Sequence, residues 1–106
     1  GACIVNCRRG GSSAAFDMLN KYLTINNMPV VSSQYWNQTH GFVPEDLKKD
    51  LEGLQTMRTL GRNMAWLIKC IKAGEQQGIT FPPAEPYLMT NFLGNKPPAS
   101  TMNKFS

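Results

Sequence analysis

Long apolar segments are missing from this chain of 106 residues. No run approaches the roughly 18–20 apolar residues that a transmembrane helix needs, and the sequence shows no signal peptide. These absences argue against membrane-spanning proteins, so we expect no membrane partner and a cytoplasmic location. No internal repeat or low-complexity tract is present, which excludes repeat architectures.

Residues that bind metals or act as nucleophiles are scarce. The sequence has three cysteines and one histidine, with no CxxC pair and no histidine at a zinc-binding spacing. It has no phosphate-binding P-loop and no Ser-His-Asp order that would set up a nucleophile. We therefore predict no metal site and assign no catalytic residue. Cys3, Cys7 and Cys70 have apolar neighbours in the sequence, which predicts reduced, buried thiols.

Acidic residues are outnumbered, with seven Asp and Glu against eleven Lys and Arg and a net charge of +4. The basic residues are spread from Arg8 to Lys104 and form no basic stripe interleaved with aromatic residues, so we expect no nucleic-acid partner. A chain of this length holds one small core. The pattern predicts an α/β domain over residues 1–80 and a proline-containing extended tail over residues 81–106.

The composition of residues 2–16 changes twice along the chain. Residues 2–7 are apolar and β-branched, which is typical of a strand buried on both faces. Two arginines and two glycines follow, and Ser12 with Ser13 could cap a helix that begins near Ala14. A helix start at the carboxyl end of a strand favours an anionic ligand. The alternative, a βα turn with solvated arginines, is equally compatible with these residues.

The next segments predict a parallel sheet. Apolar residues recur at helical spacing up to about Thr24, and Asn26 and Asn27 are candidates for a left-handed helix end. Residues 28–33 predict a second strand, with a proline near its start. A strand, a helix and a strand within about thirty residues indicate a right-handed crossover between parallel strands.

Residues 34–42 carry the most versatile side chains of the chain. Tyr35 and Trp36 could stack on a planar ligand, and His40 is the single histidine. The alternative is structural, because aromatic residues often close a sheet edge and a lone histidine is more often a hydrogen-bonded structural group than a catalyst.

A long helical pattern begins at Pro44 and continues to about Ala73. Two apolar stripes lie side by side on this helix, and together they are wider than packing on one sheet surface requires. Gly53 and Gly61 lower the helix propensity, which predicts the close approach of another backbone as compensation. We expect a homo-oligomer through residues 51–71. The alternative is a bent helix packed on its own sheet, with a break near Asp50 or Gly53.

Three segments, in this order and spacing, carry a family resemblance: CRRGGSSAAFDMLNKY, MPVVSSQYWNQTHGF and EGLQTMRTLGRNMAWLIKCIKAG. The chain resembles the carboxyl-terminal half of the flavodoxin-fold NADPH-dependent FMN reductases, also called multimeric flavodoxins. The resemblance implies a partial flavodoxin-like fold in which this chain supplies the last two of five parallel strands. It also implies FMN as cofactor and NADPH as reductant.

The resemblance places the flavin beside two loops. The residues expected at the ring or at the nicotinamide entrance are Arg8, Arg9, Gly10, Gly11, Ser12, Tyr35, Trp36 and His40. The chain departs from the family because it lacks the glycine- and serine-rich loop that holds the FMN phosphate and the loop after the third strand. We therefore expect the flavin-edge half of an FMN-dependent oxidoreductase that is inactive without an amino-terminal half. The alternative is a non-catalytic α/β oligomerisation or interaction module.

Overall fold

The computed structural model of the protein describes residues 1–92 and residue 94. Two short strands and three helices follow one another along this part of the chain: β1 (Val5–Cys7), α1 (Ser12–Ile25), β2 (Gln38–His40), α2 (Pro44–Leu47) and α3 (Leu51–Gln76). The two strands pair in parallel. The coarser part of the predicted fold, a partial α/β arrangement with parallel strands and a long last helix, is confirmed.

The second strand lies later in the sequence than predicted. Residues 28–33 form no strand, so the prediction of a strand there is wrong. Two backbone bonds of the parallel-strand type are present, because the Gly1 amino group donates to the Pro29 carbonyl at 2.8 Å and the Val31 N–H donates to the Gly1 carbonyl at 2.8 Å. Beyond them, the Ser33 hydroxyl bonds to Asn37 Oδ1 at 2.6 Å. Such local side-chain bonds compete with a strand ladder, and regular pairing starts only at β2.

A polar pair occupies the centre of the two-stranded sheet. Asn6 is the register partner of Thr39, and the Thr39 hydroxyl donates to Asn6 Oδ1 at 3.0 Å. The Asn6 amide also donates to the Gly41 carbonyl at 3.1 Å. Because each polar group has a partner, the buried Thr39 is tolerated inside the sheet.

The helix α1 begins at Ser12, two residues earlier than predicted. Gly11 precedes it at φ +88°, a left-handed conformation that glycine adopts without steric cost. The predicted cap by Ser12 and Ser13 is wrong, because both hydroxyls point to Gln38 Oε1, at 2.8 and 3.5 Å. At the other end, Asn27 at φ +56° provides the predicted left-handed residue.

The helical pattern predicted from Pro44 to about Ala73 is not continuous, because it is interrupted at residues 48–50, between α2 and α3, as in the alternative with a break near Asp50. Asp50 caps α3, since its Oδ1 accepts the Gly53 N–H at 2.9 Å. A Cβ atom at Gly53 would overlap the Asp50 carboxylate, so the Asp50 cap by itself accounts for a glycine at this position. At Gly61, no described atom outside the local helix lies within 4 Å of a Cβ position.

Few apolar side chains of this chain are buried. Among the described residues, the buried hydrophobic core consists of Phe16, Val31 and Leu60. The accessible surface is 8896 Å², whereas a folded monomer of this mass exposes about 5,900 Å². The radius of gyration is 19.9 Å, whereas a compact chain of this length has about 13 Å. The chain is therefore less compact than a globular domain of its size, and the exposed residues 79–92 contribute to this.

The cysteines are free thiols, but they are more exposed than predicted. Cys70 is exposed and Cys3 and Cys7 are half-buried, so the prediction of buried thiols is wrong. The small core explains this, because the apolar neighbours of the cysteines in sequence are themselves largely uncovered. Residues 79–92 are exposed and form no helix or strand. The prolines at 97 and 98, part of the predicted tail, lie outside the described residues.

Candidate functional site

The carboxyl ends of the two strands lie side by side. β1 ends at Cys7 and β2 at His40, and these residues are register partners. The ladder continues by one bond, since the Gly41 N–H donates to the Cys7 carbonyl at 3.1 Å. Residues 8–11 and 41–43 therefore leave the sheet at the same edge. In parallel α/β sheets, ligands bind at this edge.

Arg8 connects the two segments at this edge. Its guanidinium carbon lies 4.4 Å from the centroid of the Phe42 ring, a cation–π distance. Arg9 is exposed, and neither arginine forms an ion pair with a described residue. Cβ atoms at Gly10 and Gly11 would meet nothing within 4 Å. The loop therefore combines an anchored cation, an exposed cation and a backbone that a ligand can approach.

The amino terminus of α1 lies at the same edge. Ser12 is buried, and its hydroxyl donates to Gln38 Oε1 on β2 at 2.8 Å. Because that hydroxyl is engaged and Gly11 has no side chain, no described side chain caps α1. The first N–H groups of the helix remain as donors and carry the positive end of the helix dipole. This arrangement favours an anionic or hydrogen-bond-accepting ligand.

His40 is tied to the start of α3. Its backbone N–H donates to Asp50 Oδ2 at 2.7 Å, and its Nδ1 lies 3.7 Å from the same oxygen. The hydrogen bond from the Gly53 N–H, with smaller contributions from His40, holds the pKa of Asp50 below its usual range despite partial desolvation. Asp50 is therefore an ionised acceptor at neutral pH. These contacts favour the structural role for His40.

Tyr35 and Trp36 lie in a separate groove, before β2. Their ring centroids are 5.8 Å apart, and the Phe16 ring lies 6.1 Å from that of Trp36. The groove has a volume of about 290 Å³ and none of residues 8–12 lines it. Tyr35 and His40 meet in a second, much smaller cavity of about 30 Å³. The structure thus distributes the eight predicted residues over three neighbouring places.

The predicted set omits three residues that organise the edge of the sheet, namely Gln38, Phe42 and Asp50. Asp50 had a local signal, because an acidic residue directly before a helical pattern is a frequent N-cap. Gln38 and Phe42 had none, since their partners Ser12 and Arg8 lie 26 and 34 positions away in the sequence. Contacts of that kind depend on the register of the sheet.

The described residues contain no group of three or more His, Cys, Asp and Glu side chains that could hold a metal ion. In the same part of the chain, none of the helices is both long enough and apolar enough to cross a membrane.

No protein-family model, no curated protein and no solved structure matches the chain. The resemblance to the flavodoxin-fold reductases consequently rests on the three segments quoted above.

Proposed function

We propose that this chain is the flavin-edge half of an FMN-dependent NAD(P)H oxidoreductase, with NADPH as reductant. The observation that carries the proposal is the uncapped amino terminus of α1, which lies at the carboxyl edge of a parallel sheet beside Arg8 and Arg9. The family resemblance of the same loop supports the choice of a flavin among anionic or electron-rich ligands.

The loop suits the edge of a planar, electron-rich ring. Gly10 and Gly11 leave room for the ring to approach the backbone. The first N–H groups of α1 can donate to ring oxygen and nitrogen atoms, and Arg8, steadied by Phe42, brings a positive charge close to them. Bound FMN would supply the transfer of a hydride, while these residues orient the ring and stabilise its negative charge.

The FMN phosphate has no comparable site in the described residues. The glycines and serines of residues 10–13 are committed to the ring edge in this proposal, and a phosphate needs a further set of donors. Hydride transfer also requires the nicotinamide ring and the flavin ring to lie roughly 3–3.5 Å apart. A half-open site does not enforce this distance. We therefore propose that the chain acts with an amino-terminal half and is inactive alone. Its large open surface supports this.

The test compares this chain with a longer one that adds an amino-terminal half, by titrating FMN and following NADPH oxidation. We expect a yellow, active longer protein and negligible turnover by the chain alone. Gly11→Ala should weaken FMN binding to the longer protein. Gly78→Ala is the matched control, because both glycines have a positive φ, +88° and +81°, and open space around them. Comparable turnover by both chains would contradict the proposal that this chain lacks a site for the FMN phosphate. A colourless longer protein would contradict the proposal that FMN is the cofactor.

A second candidate function is a non-catalytic α/β interaction module. The exposed apolar side chains on both long helices, among them Met18, Tyr22 and Ile25 on α1 and Trp66 and Ile71 on α3, support association. The homo-oligomer predicted from the sequence through residues 51–71 is one form of it. A colourless protein that associates would favour this candidate over the flavoprotein.

A further inference from the structure

A second apolar stripe runs along α3 beside the face that packs on the sheet. The packed face contains the buried residues Gly53, Thr56 and Leu60. Steps of three and four residues produce the second set, which we name the α3 stripe: Leu54, Met57, Gly61, Ala65 and Ile68. The last three of these are exposed and the first two half-buried. The stripe is therefore a largely uncovered apolar surface.

Basic side chains border the α3 stripe on its solvent side. Between Glu52 and Glu75, the helix carries four basic residues and no acidic one: Arg58, Arg62, Lys69 and Lys72. All four are exposed, and none forms an ion pair with another described residue. Three of them directly follow a stripe residue, which places each about 100° further around the helix. We name these four residues the basic row.

We propose that the α3 stripe and the basic row dock an amphipathic helix of a partner chain, one whose apolar residues are bordered by Asp and Glu. The apolar residues of the partner would cover the stripe while its carboxylates pair with the basic row, so one docking event satisfies both features.

The helices of a second copy do not meet these requirements. Whether two α3 helices pair parallel or antiparallel, the basic row meets a helix without an acidic residue between positions 53 and 74. The helix α1 has a single acidic residue, Asp17. The helix α2 spans only four residues. A partner from a different chain is therefore favoured over the homo-oligomer through residues 51–71.

Nucleic acid and membrane surfaces suit the site less well. Phosphates would pair with the basic row but leave the α3 stripe in water, since base and sugar edges do not cover an apolar helix face. A helix that enters a lipid surface relies on large apolar side chains, whereas Gly61 and Ala65 at the centre of the stripe offer little apolar area. The same two residues allow another helix to approach closely.

The test uses the full chain and a fluorescent helical peptide of about 20 residues that has a leucine stripe bordered by Glu. A matched peptide carries Lys in place of each Glu. We expect the acidic peptide to bind at least about tenfold more tightly than the basic one, with an affinity that falls as salt is raised. Equal affinities, or no binding of the acidic peptide, would overturn the proposal.

Variants locate the contact. Arg58→Gln with Arg62→Gln should weaken binding of the acidic peptide several-fold and reduce its salt dependence, whereas the exposed Lys21→Gln on α1 should not. Ile68→Asp should abolish binding, and Ile25→Asp, at a more exposed isoleucine on α1, should not. Circular dichroism checks that each variant keeps its helices. Unchanged binding by both the Arg58/Arg62 and Ile68 variants would refute the site, as would tighter binding of a DNA duplex or of phosphatidylserine vesicles.

Discussion

Asp50 accepts the backbone N–H of His40 at 2.7 Å and, with its other oxygen, the N–H of Gly53 at 2.9 Å. One carboxylate therefore joins the end of β2 to the first turn of α3. The pairing matters for the candidate site because β2 carries Gln38, the partner of Ser12 at the start of α1. The position of the loop over residues 8–11 thus depends on a contact made ten residues beyond the strand.

Removing this carboxylate should destabilise the chain. We expect Asp50→Ala to lower the free energy of unfolding by about 1–2 kcal/mol, because a helix cap and the acceptor of the His40 N–H are lost together. Urea unfolding followed by circular dichroism measures the change. Asp17→Ala, at an exposed position of α1, is the control and should stay within about 0.5 kcal/mol. Equal losses for both variants would contradict the role of Asp50.

The contribution of Asp50 should depend on pH in one direction. Its pKa is lowered in the folded chain, mainly by the Gly53 N–H, so the folded state favours the ionised carboxylate. The resulting stability is complete above the ordinary aspartate pKa of about 3.9 and is lost as the pH falls through the lowered value. The stability difference between the wild type and Asp50→Asn should therefore shrink in acid. A difference that stays constant from neutral pH to about pH 2 would contradict this.

Ser12 and Ser13 offer a matched pair of substitutions. Ser12→Ala removes a 2.8 Å bond from a buried hydroxyl and leaves Gln38 Oε1 with only a 3.5 Å contact to Ser13. We expect a loss of about 1–2 kcal/mol in the free energy of unfolding. Ser13→Ala, at an exposed position, should change it by less than about 0.5 kcal/mol. Chemical denaturation of both variants checks the difference. A larger loss for Ser13→Ala would contradict the interpretation that Ser12 makes the main contact with Gln38.

Two glycines of α3 should respond to alanine with opposite signs. Gly61 has open space around its Cβ position, so Gly61→Ala should stabilise the helix by up to about 1 kcal/mol. At Gly53 the new methyl group would displace the Asp50 carboxylate, so Gly53→Ala should destabilise the chain by about 1 kcal/mol or more. Thermal unfolding of the two variants tests this. Stabilisation by both substitutions would show that the Asp50 cap is dispensable.

The arginines of the loop should matter for flavin binding and not for folding. In a protein that includes the amino-terminal half, replacing Arg8 and Arg9 by alanine should weaken FMN binding by about 1–2 kcal/mol, or five- to thirty-fold. It should also shift the reduction potential of FMN to more negative values, because a nearby cation favours the reduced, anionic ring. Lys21→Ala removes a positive charge from an exposed position of α1 and serves as control. If the FMN affinity and the reduction potential do not change, the alternative of a βα turn with solvated arginines is supported instead.

Local features of the sequence predict where the helical segments lie. Apolar residues at helical spacing predict α1, and Pro44 with the acidic residues after it predicts the start of α2. The break before α3 is contained only in the alternative with a break near Asp50 or Gly53, since capping residues and glycines act within a few positions of the chain. The left-handed Asn27 is likewise a local property of the end of α1.

The tertiary structure alone decided how these pieces meet. Residues 28–33 have strand composition, yet pairing with β1 falls on Gln38–His40, because the register depends on partners more than thirty positions away. That register also decides that the Ser12 hydroxyl bonds to Gln38 instead of capping α1. The exposure of Cys70 also depends on tertiary packing. An apolar residue is buried only where a second element covers it, and much of α3 is uncovered.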